Sequence, residues 1–208
     1  EVKWIRIMEQ IPRPWSCQRT WDGEPLTHLV CGGSLGAKAM HGVVPVETDG
    51  SAHFYVPADR NIYFQALDAN FMELQRERTY VNYRPGETRS CIGCHETPND
   101  APALRTRKPI ALTGAPQTPQ AQPGDKTAKR TFSFPRDVQP VLDKHCVSCH
   151  GGDKPSAKLD LRGALTAKTS TSFEGLRRYI STCGEGAGFS STVYFKPKTI
   201  GAHKRRLA

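Results

Sequence analysis

His41-Gly-Val-Val-Pro-Val-Glu-Thr-Asp-Gly50 opens the stretch that decides the fold, and Ser51-Ala-His-Phe-Tyr-Val-Pro-Ala-Asp-Arg60 and Asn61-Ile-Tyr-Phe-Gln-Ala-Leu67 continue it. Val43, Val44 and Val46 read as a short strand closed by Thr48-Asp49-Gly50. Ala52, Phe54 and Val56 alternate with differently facing residues until Pro57 stops the run. Asn61–Leu67 reads as a further strand, Asp68-Ala69-Asn70 as a turn, and Met72–Val81 as the returning strand. Short β-branched and aromatic runs cut by Gly, Pro, Asn and Asp predict a meander of strands, too small for a barrel. A β-sandwich-like unit is the expected packing. Upstream, Val2–Ile11 carries both a helical stripe (Trp4, Ile7, Met8, Ile11) and β-branched residues before Pro12 and Pro14, and we read it as a strand. Residues 12–40 hold Pro12, Pro14, Gly23, Pro25, Gly32, Gly33 and Gly36, and read as a long loop.

Pro85-Gly86-Glu87 breaks the sheet, and Cys91-Ile92-Gly93-Cys94-His95 follows at once; Cys146-Val147-Ser148-Cys149-His150 repeats the pattern. CxxCH is the attachment string of c-type haem. Two thiols add across the two vinyl groups on one porphyrin edge. Two intervening residues make one helical turn, which sets both sulfurs along that edge, and the next His comes beneath the iron as its ligand. Chance seldom yields one such string in a chain with 7 Cys and 7 His, and yields two far more rarely. Structural zinc also uses paired CxxC, but zinc ribbons place the pairs about 15–20 residues apart and need no His after each. Two covalently attached haem c groups are therefore expected, on Cys91, Cys94 and His95 and on Cys146, Cys149 and His150, with zinc as the weaker alternative.

Haem c is installed outside the cytoplasm, so an exported protein is expected, in the periplasm or another extracytoplasmic compartment. Cys17 and Cys31 then meet oxidising conditions and are candidates for a disulfide. A metal site joining Cys31 with His28 or His41, and independent thiols, stay open beside it. Cys183 is left over and suits a buried small apolar side chain.

The remaining chain reads as follows. Gly114–Lys129 (GAPQTPQAQPGDKTAK) is a linker or a long surface excursion. Asp137 can cap a helix that runs through Pro140, Val141 and Leu142 into the Cys146 string, with Pro140 tolerable only in the first turn. A short helix is expected over Phe173–Ile180. The fold class is thus α+β: a β-sandwich-like unit (1–88), a haem 1 attachment segment (89–113), a linker (114–131) and a mostly helical cytochrome-c-like haem 2 unit (132–208). The absence of Met at position 1 and the basic run at the other end (His203–Arg206, HKRR) lead us to expect a chain that continues at both ends.

Composition sets limits on function. The chain has 208 residues, Lys+Arg 29, Asp+Glu 20 and net charge +9; hydrophobic residues are 37%. A single large core is not expected from so few apolar residues with 18 Gly and 16 Pro. The basic residues are dispersed, and haem propionates offset part of the excess, so nucleic-acid binding is not expected. The longest uncharged run, Pro109–Gly124 apart from its flanks, is mostly Pro, Gln, Thr and Ala, so no transmembrane helix is expected.

Sixth ligands are sought among His28, His41, His53, His145, His203, Met8, Met40 and Met72. His53, in the strand region upstream of the first string, is the distal candidate for haem 1. His203, after Gly201-Ala202, is the candidate for haem 2, with a solvated tail as the alternative. His145 directly precedes Cys146 and can reach only the other iron. Met72 reads as core. Arg89, Arg105 and Arg107 flank the first string and can pair with propionates.

The runs Pro45–Ala58, Tyr63–Asp68 and Pro85–Glu96 resemble the dihaem region of the hydrazine synthase alpha subunit and of related planctomycete-type multidomain c-type cytochromes. Asp137–Cys146 and Gly201-Ala202-His203 resemble the same group. In that family such a region belongs to a longer protein. The resemblance implies a catalytic first haem, whose motif His turns to a zinc ion while a Tyr shortly after the motif ligates the iron. Here Glu96-Thr97-Pro98-Asn99-Asp100 follow His95, and no Tyr lies between Tyr83 and Tyr179. Most relatives are taken to carry electrons. The expected function is an exported dihaem cytochrome that transfers single electrons between redox proteins or other haem subunits. The alternative is a haem-dependent oxidoreductase of the hydrazine synthase type, acting on small nitrogen compounds at haem 1. His53, Asn99, Cys31 and His41 bear on that choice.

Overall fold

The computed structural model describes residues 2–12, 37–77, 80–93, 107–167 and 169–177. Among them, β1 (Trp4–Gln10), β2 (Lys38–Pro45), β3 (Ile62–Leu67), β4 (Glu73–Arg76) and β5 (Arg130–Thr131) form one antiparallel sheet in the order β4-β3-β1-β2-β5.

The strand reading of the first segment holds because β1 is central and needs apolar side chains on both faces. Ile5 sits opposite Val44 and Ala66, and Ile7 opposite Gly42 and Phe64. On that face Ile7, Val44, Ile62 and Tyr83 form the main core, with Ile5, Phe54, Val56, Phe64 and Val81 packed against it. Each fully buried Ile or Val contributes about 1.5–3 kcal/mol. The opposite face carries a smaller cluster of Met8, Met40 and Tyr63. These two methionines are therefore core residues, and Met72 lies half-buried beside the Asp68 turn.

Pairing between β1 and β2 shifts between Ile7 and Met8, leaving His41 as the extra residue of a bulge. Gly42 follows at φ +110, and a Cβ there would lie 2.6 Å from the Gln120 carbonyl oxygen. Glycine is required by conformation and by close approach together.

Three expectations need correction. Residues 38–40, read as the end of a loop, belong to β2, because they pair with β1 beyond the bulge. No second sheet faces the first among the described residues, so the unit is not a sandwich there. Phe54 makes only an isolated bridge to Gln117. The ladder stops at Pro119, which lies two residues after Gln117 and has no N–H to donate. The stretch read as linker or surface excursion is no free linker but a surface strap tied along the open edge of β2. Val43 and Gln120 exchange two backbone hydrogen bonds of 2.9 Å, and the strap ends in β5. Arg6 anchors it: Nε donates to Gln122 Oε1 (2.9 Å), Nη1 to Gln65 Oε1 (3.0 Å) and Nη2 to the Phe71 carbonyl (3.1 Å).

Beyond the strap, one wide turn (Phe134–Val138) leads into α1 (Gln139–His145), and α2 spans Thr171–Arg177. Asp137 does not cap α1 as expected. Its Oδ2 reaches back to accept from Ser133 N at 2.7 Å, because the preceding turn already holds the helix start. Pro140 does fall in the first turn. α2 starts two residues earlier than expected, where Ser170 Oγ accepts from Phe173 N (3.3 Å). Among the described residues, helix between 132 and 177 is confined to these short pieces and a single 3-10 turn at Ser156–Lys158, so a mostly helical unit is not what they form. No helix among them is long and apolar enough to cross a membrane.

Candidate haem attachment sites

The second string is laid out in full. Leu142 O accepts from Cys146 N (2.8 Å), and Cys146 O accepts from Cys149 N (3.1 Å) and His150 N (2.8 Å). The backbone therefore makes one turn off the end of α1 with both thiols free, Cys149 exposed and Cys146 partly so. Gly151 closes the turn: a Cβ there would meet the Val147 carbonyl oxygen at 2.7 Å.

His150 is oriented by main chain. Its Nδ1 lies 3.1 Å from Ser156 O and 3.2 Å from Leu159 O. Carbonyl oxygens only accept, so Nδ1 carries the proton and Nε2 keeps its lone pair for a metal. The loop that supplies these acceptors is strained, with Ala157 at φ 53 and Lys158 at φ 56. Two non-glycine residues in the left-handed region cost roughly 1–2 kcal/mol each. Sequence reading missed Ser156 and Leu159, since a main-chain acceptor leaves no side-chain signature; Pro155 alone marks the turn.

The first string leaves the sheet through Tyr83. This residue is buried in the main core, and burial followed by the neighbouring Cys91 pushes its phenol pKa up. Arg89 lies over its ring, 5.5 Å from the centroid, and pairs with Glu87 at 2.5 Å. Glu87 also accepts from Arg84 N (2.8 Å), and these contacts hold its carboxyl below the usual range. Arg89 is thus engaged with Tyr83 and Glu87. Cys91 follows as an exposed free thiol; Cys94, His95, Asn99 and Arg105 lie outside the described residues.

His53 is half-buried, and its Nδ1 is buried without a hydrogen-bond partner among the described residues. The neighbouring Phe54 packs on the same core as Tyr83. His41, the bulge residue, places Nε2 2.6 Å from Glu9 Oε2; both side chains are buried, and Arg60 stands 3.4 Å from the other oxygen. No group of three or more His, Cys, Asp or Glu suited to a metal ion occurs among the described residues. His145 is exposed at the end of α1, and Arg107 is exposed. Cys17, His28, Cys31, Cys183 and His203 lie outside the described residues.

The residues present fit covalent haem at the second string: free thiols one turn apart, then an imidazole with the correct nitrogen available.

Comparison with known proteins bears on the first string. The family model described as the hydrazine synthase alpha subunit middle domain matches residues 1–96. The chain resembles the hydrazine synthase alpha subunit. Hydrazine synthase subunit alpha of Kuenenia stuttgartiensis is 25% identical over 171 residues, which cover 60% of this chain and 21% of that protein. The solved Kuenenia stuttgartiensis hydrazine synthase shares the fold, with a TM-score of 0.62 at 24% identity, over 84% of this chain and 29% of that one. The chain thus spans about a fifth of the length of the curated hydrazine synthase subunit it matches.

Proposed function

We propose that this chain is the haem-bearing part of an alpha subunit of the hydrazine synthase type, in which the first haem acts on small nitrogen compounds and the second passes electrons. One observation carries the reading. The matched middle-domain segment spans the β-unit and the whole first string, and ends at Glu96, one residue after His95. The catalytic alternative therefore stands ahead of an electron carrier alone. Haem iron, when bound, supplies one-electron chemistry and a coordination position for a small ligand.

The chain's own residues would do the rest. Cys91, Cys94 and His95 would hold the first haem at the edge of the sheet, with Tyr83 fixing where the string departs. His53 has a buried nitrogen free to serve as a distal ligand or to face a bound substrate. Cys146, Cys149 and His150 would hold the second haem, and two such groups in one chain favour delivery of electrons from one to the other. This reading keeps the divisions 1–88, 89–113 and 132–208, with 114–131 as a strap bound to the sheet in place of a linker, an exported location, and redox proteins or other haem subunits as partners.

The test is a reduced ultraviolet–visible spectrum of the haem-loaded protein with and without carbon monoxide. Two haem equivalents with a carbon monoxide-sensitive Soret band from one are expected. Two haems without any response would mean two six-coordinate irons, and the electron-carrier reading would take its place.

A further inference from the structure

Gln139, the first residue of α1, has no part in the attachment string, yet its side chain is buried. Its Nε2 donates to Leu161 O (3.0 Å) and Asp143 Oδ1 (2.7 Å). Its Oε1 accepts from Ser172 Oγ at 2.6 Å, and Ser172, fully buried, lies 3.1 Å from Ser170 Oγ. One carboxamide thus joins α1, the start of α2 and the segment between them. Gly163 packs against the same side chain, so closely that a Cβ there would meet it at 3.0 Å.

The joined segment is the one that orients His150. Leu161 N donates to His150 O (2.7 Å), and Leu159, two residues earlier, gives a carbonyl to His150 Nδ1. Arg162 O accepts from Ser172 N (3.2 Å), and Gly175 packs on Leu159, where a Cβ would approach its side chain to 2.9 Å. Hydrogen bonding at the far nitrogen of a ligating imidazole raises its basicity and tunes the metal. The chain of contact is therefore Gln139 to Leu161, then Leu161 and Leu159 to His150, the residue that would ligate the iron.

We infer that Gln139, with Ser172, is a positioning residue for the second haem: it holds the 159–163 segment so that the Leu159 carbonyl stays beside Ser156 O as an acceptor of the His150 Nδ1 proton, and so lowers that haem's potential. The inference rests on the reading that Cys146, Cys149 and His150 carry a haem.

The experiment is a spectroelectrochemical titration of the haem-loaded chain as wild type, Gln139→Met and Ser172→Ala, with haem counted at each string by peptide mass. Gln139→Met is expected to keep two haems and raise the potential of the second. At fixed potential its ferric-to-ferrous ratio falls about 3–10-fold, the first haem staying unchanged as internal reference. Ser172→Ala is expected to move it less, in the same direction. Asp143→Asn, whose amide oxygen can still accept from Gln139, is expected to leave the potential in place. A fully loaded Gln139→Met with an unmoved second potential overturns the inference. If that variant does not fold, an unmoved potential in Ser172→Ala overturns it. Wild type with no haem on the Cys146 peptide overturns the underlying reading instead, and the mass count tells the two failures apart.

Discussion

Among the described residues, the side chains closed off from solvent in the sheet are Ile7, Met40, Val43, Val44, Ile62 and Leu67; between 132 and 177 the fully buried side chain is Ser172, with Leu161 and Leu176 nearly so. The sheet takes its stability from apolar area around a central strand. The later region takes its order from hydrogen bonds through Gln139, Ser170 and Ser172, and leaves Phe132, Val138, Val141 and Leu165 exposed. Helices of seven residues are not stable alone in water, and neither α1 nor α2 is longer. The difference teaches which half can stand without a cofactor. The sheet has its own core, whereas the region around the second string buries little apolar area, and a haem held at Cys146 and Cys149 is expected to add to the order its polar network gives.

Removing the anchors is the strongest test of that contrast. Cys146→Ala with Cys149→Ala is expected to lose one haem equivalent in a pyridine haemochrome assay. It should also abolish amide-exchange protection of Cys149, His150 and Leu161, with β1 and β3 protected as before. Cys91→Ala with Cys94→Ala is expected to lose the other equivalent with little change in either region. Persistent protection of the Leu161 amide in the first variant would break the comparison, since the polar network would then suffice.

The apolar half is tested by Ile7→Ala, which empties the centre of the main core. About 2–5 kcal/mol of loss is expected in denaturant unfolding followed on the sheet. Gly42→Ala is smaller, at about 1–3 kcal/mol, because a Cβ at φ +110 collides with the Gln120 carbonyl oxygen. Its signature is local: exchange at the Val43 and Gln120 amides should rise more than at β3. Uniform loss across the sheet would mean that the strap is not separately held.

What could be read from residues alone follows the same division. Period-two alternation and turn residues are local signals, so β3, the Asp68 turn and the strand nature of β1 were legible. That no second sheet forms among the described residues was not. Whether chain beside a strand becomes a ladder depends on its partner, and here Pro119 denies Phe54 a continuous one. The two CxxCH strings were legible as spacing. The acceptors of His150 and the Gln139 side-chain contacts were not, because they join residues far apart in sequence through main-chain oxygens and ordinary Gln and Ser side chains. A buried Gln at the start of a helix looks like any exposed Gln until α2 is placed against it.

The smallest expected effect concerns charge. Asp137 accepts from Arg136 and from Ser133 N, and these two contacts, in that order, hold its carboxyl at about 2, below the ordinary value of 3.8. A carboxyl depressed on folding adds stability that is present above the unfolded value and is lost as the pH falls through the folded one. The turn leading into α1 should therefore loosen between about pH 4 and pH 2. Amide exchange at Asp137 and Cys146 across that window would show it, with Asp137→Asn losing the acid step while its oxygen still accepts from Ser133. The sheet amides should not follow. An acid step that survives in Asp137→Asn would mean that another carboxyl, and not Asp137, holds this turn, and that the acid sensitivity of the polar half lies elsewhere.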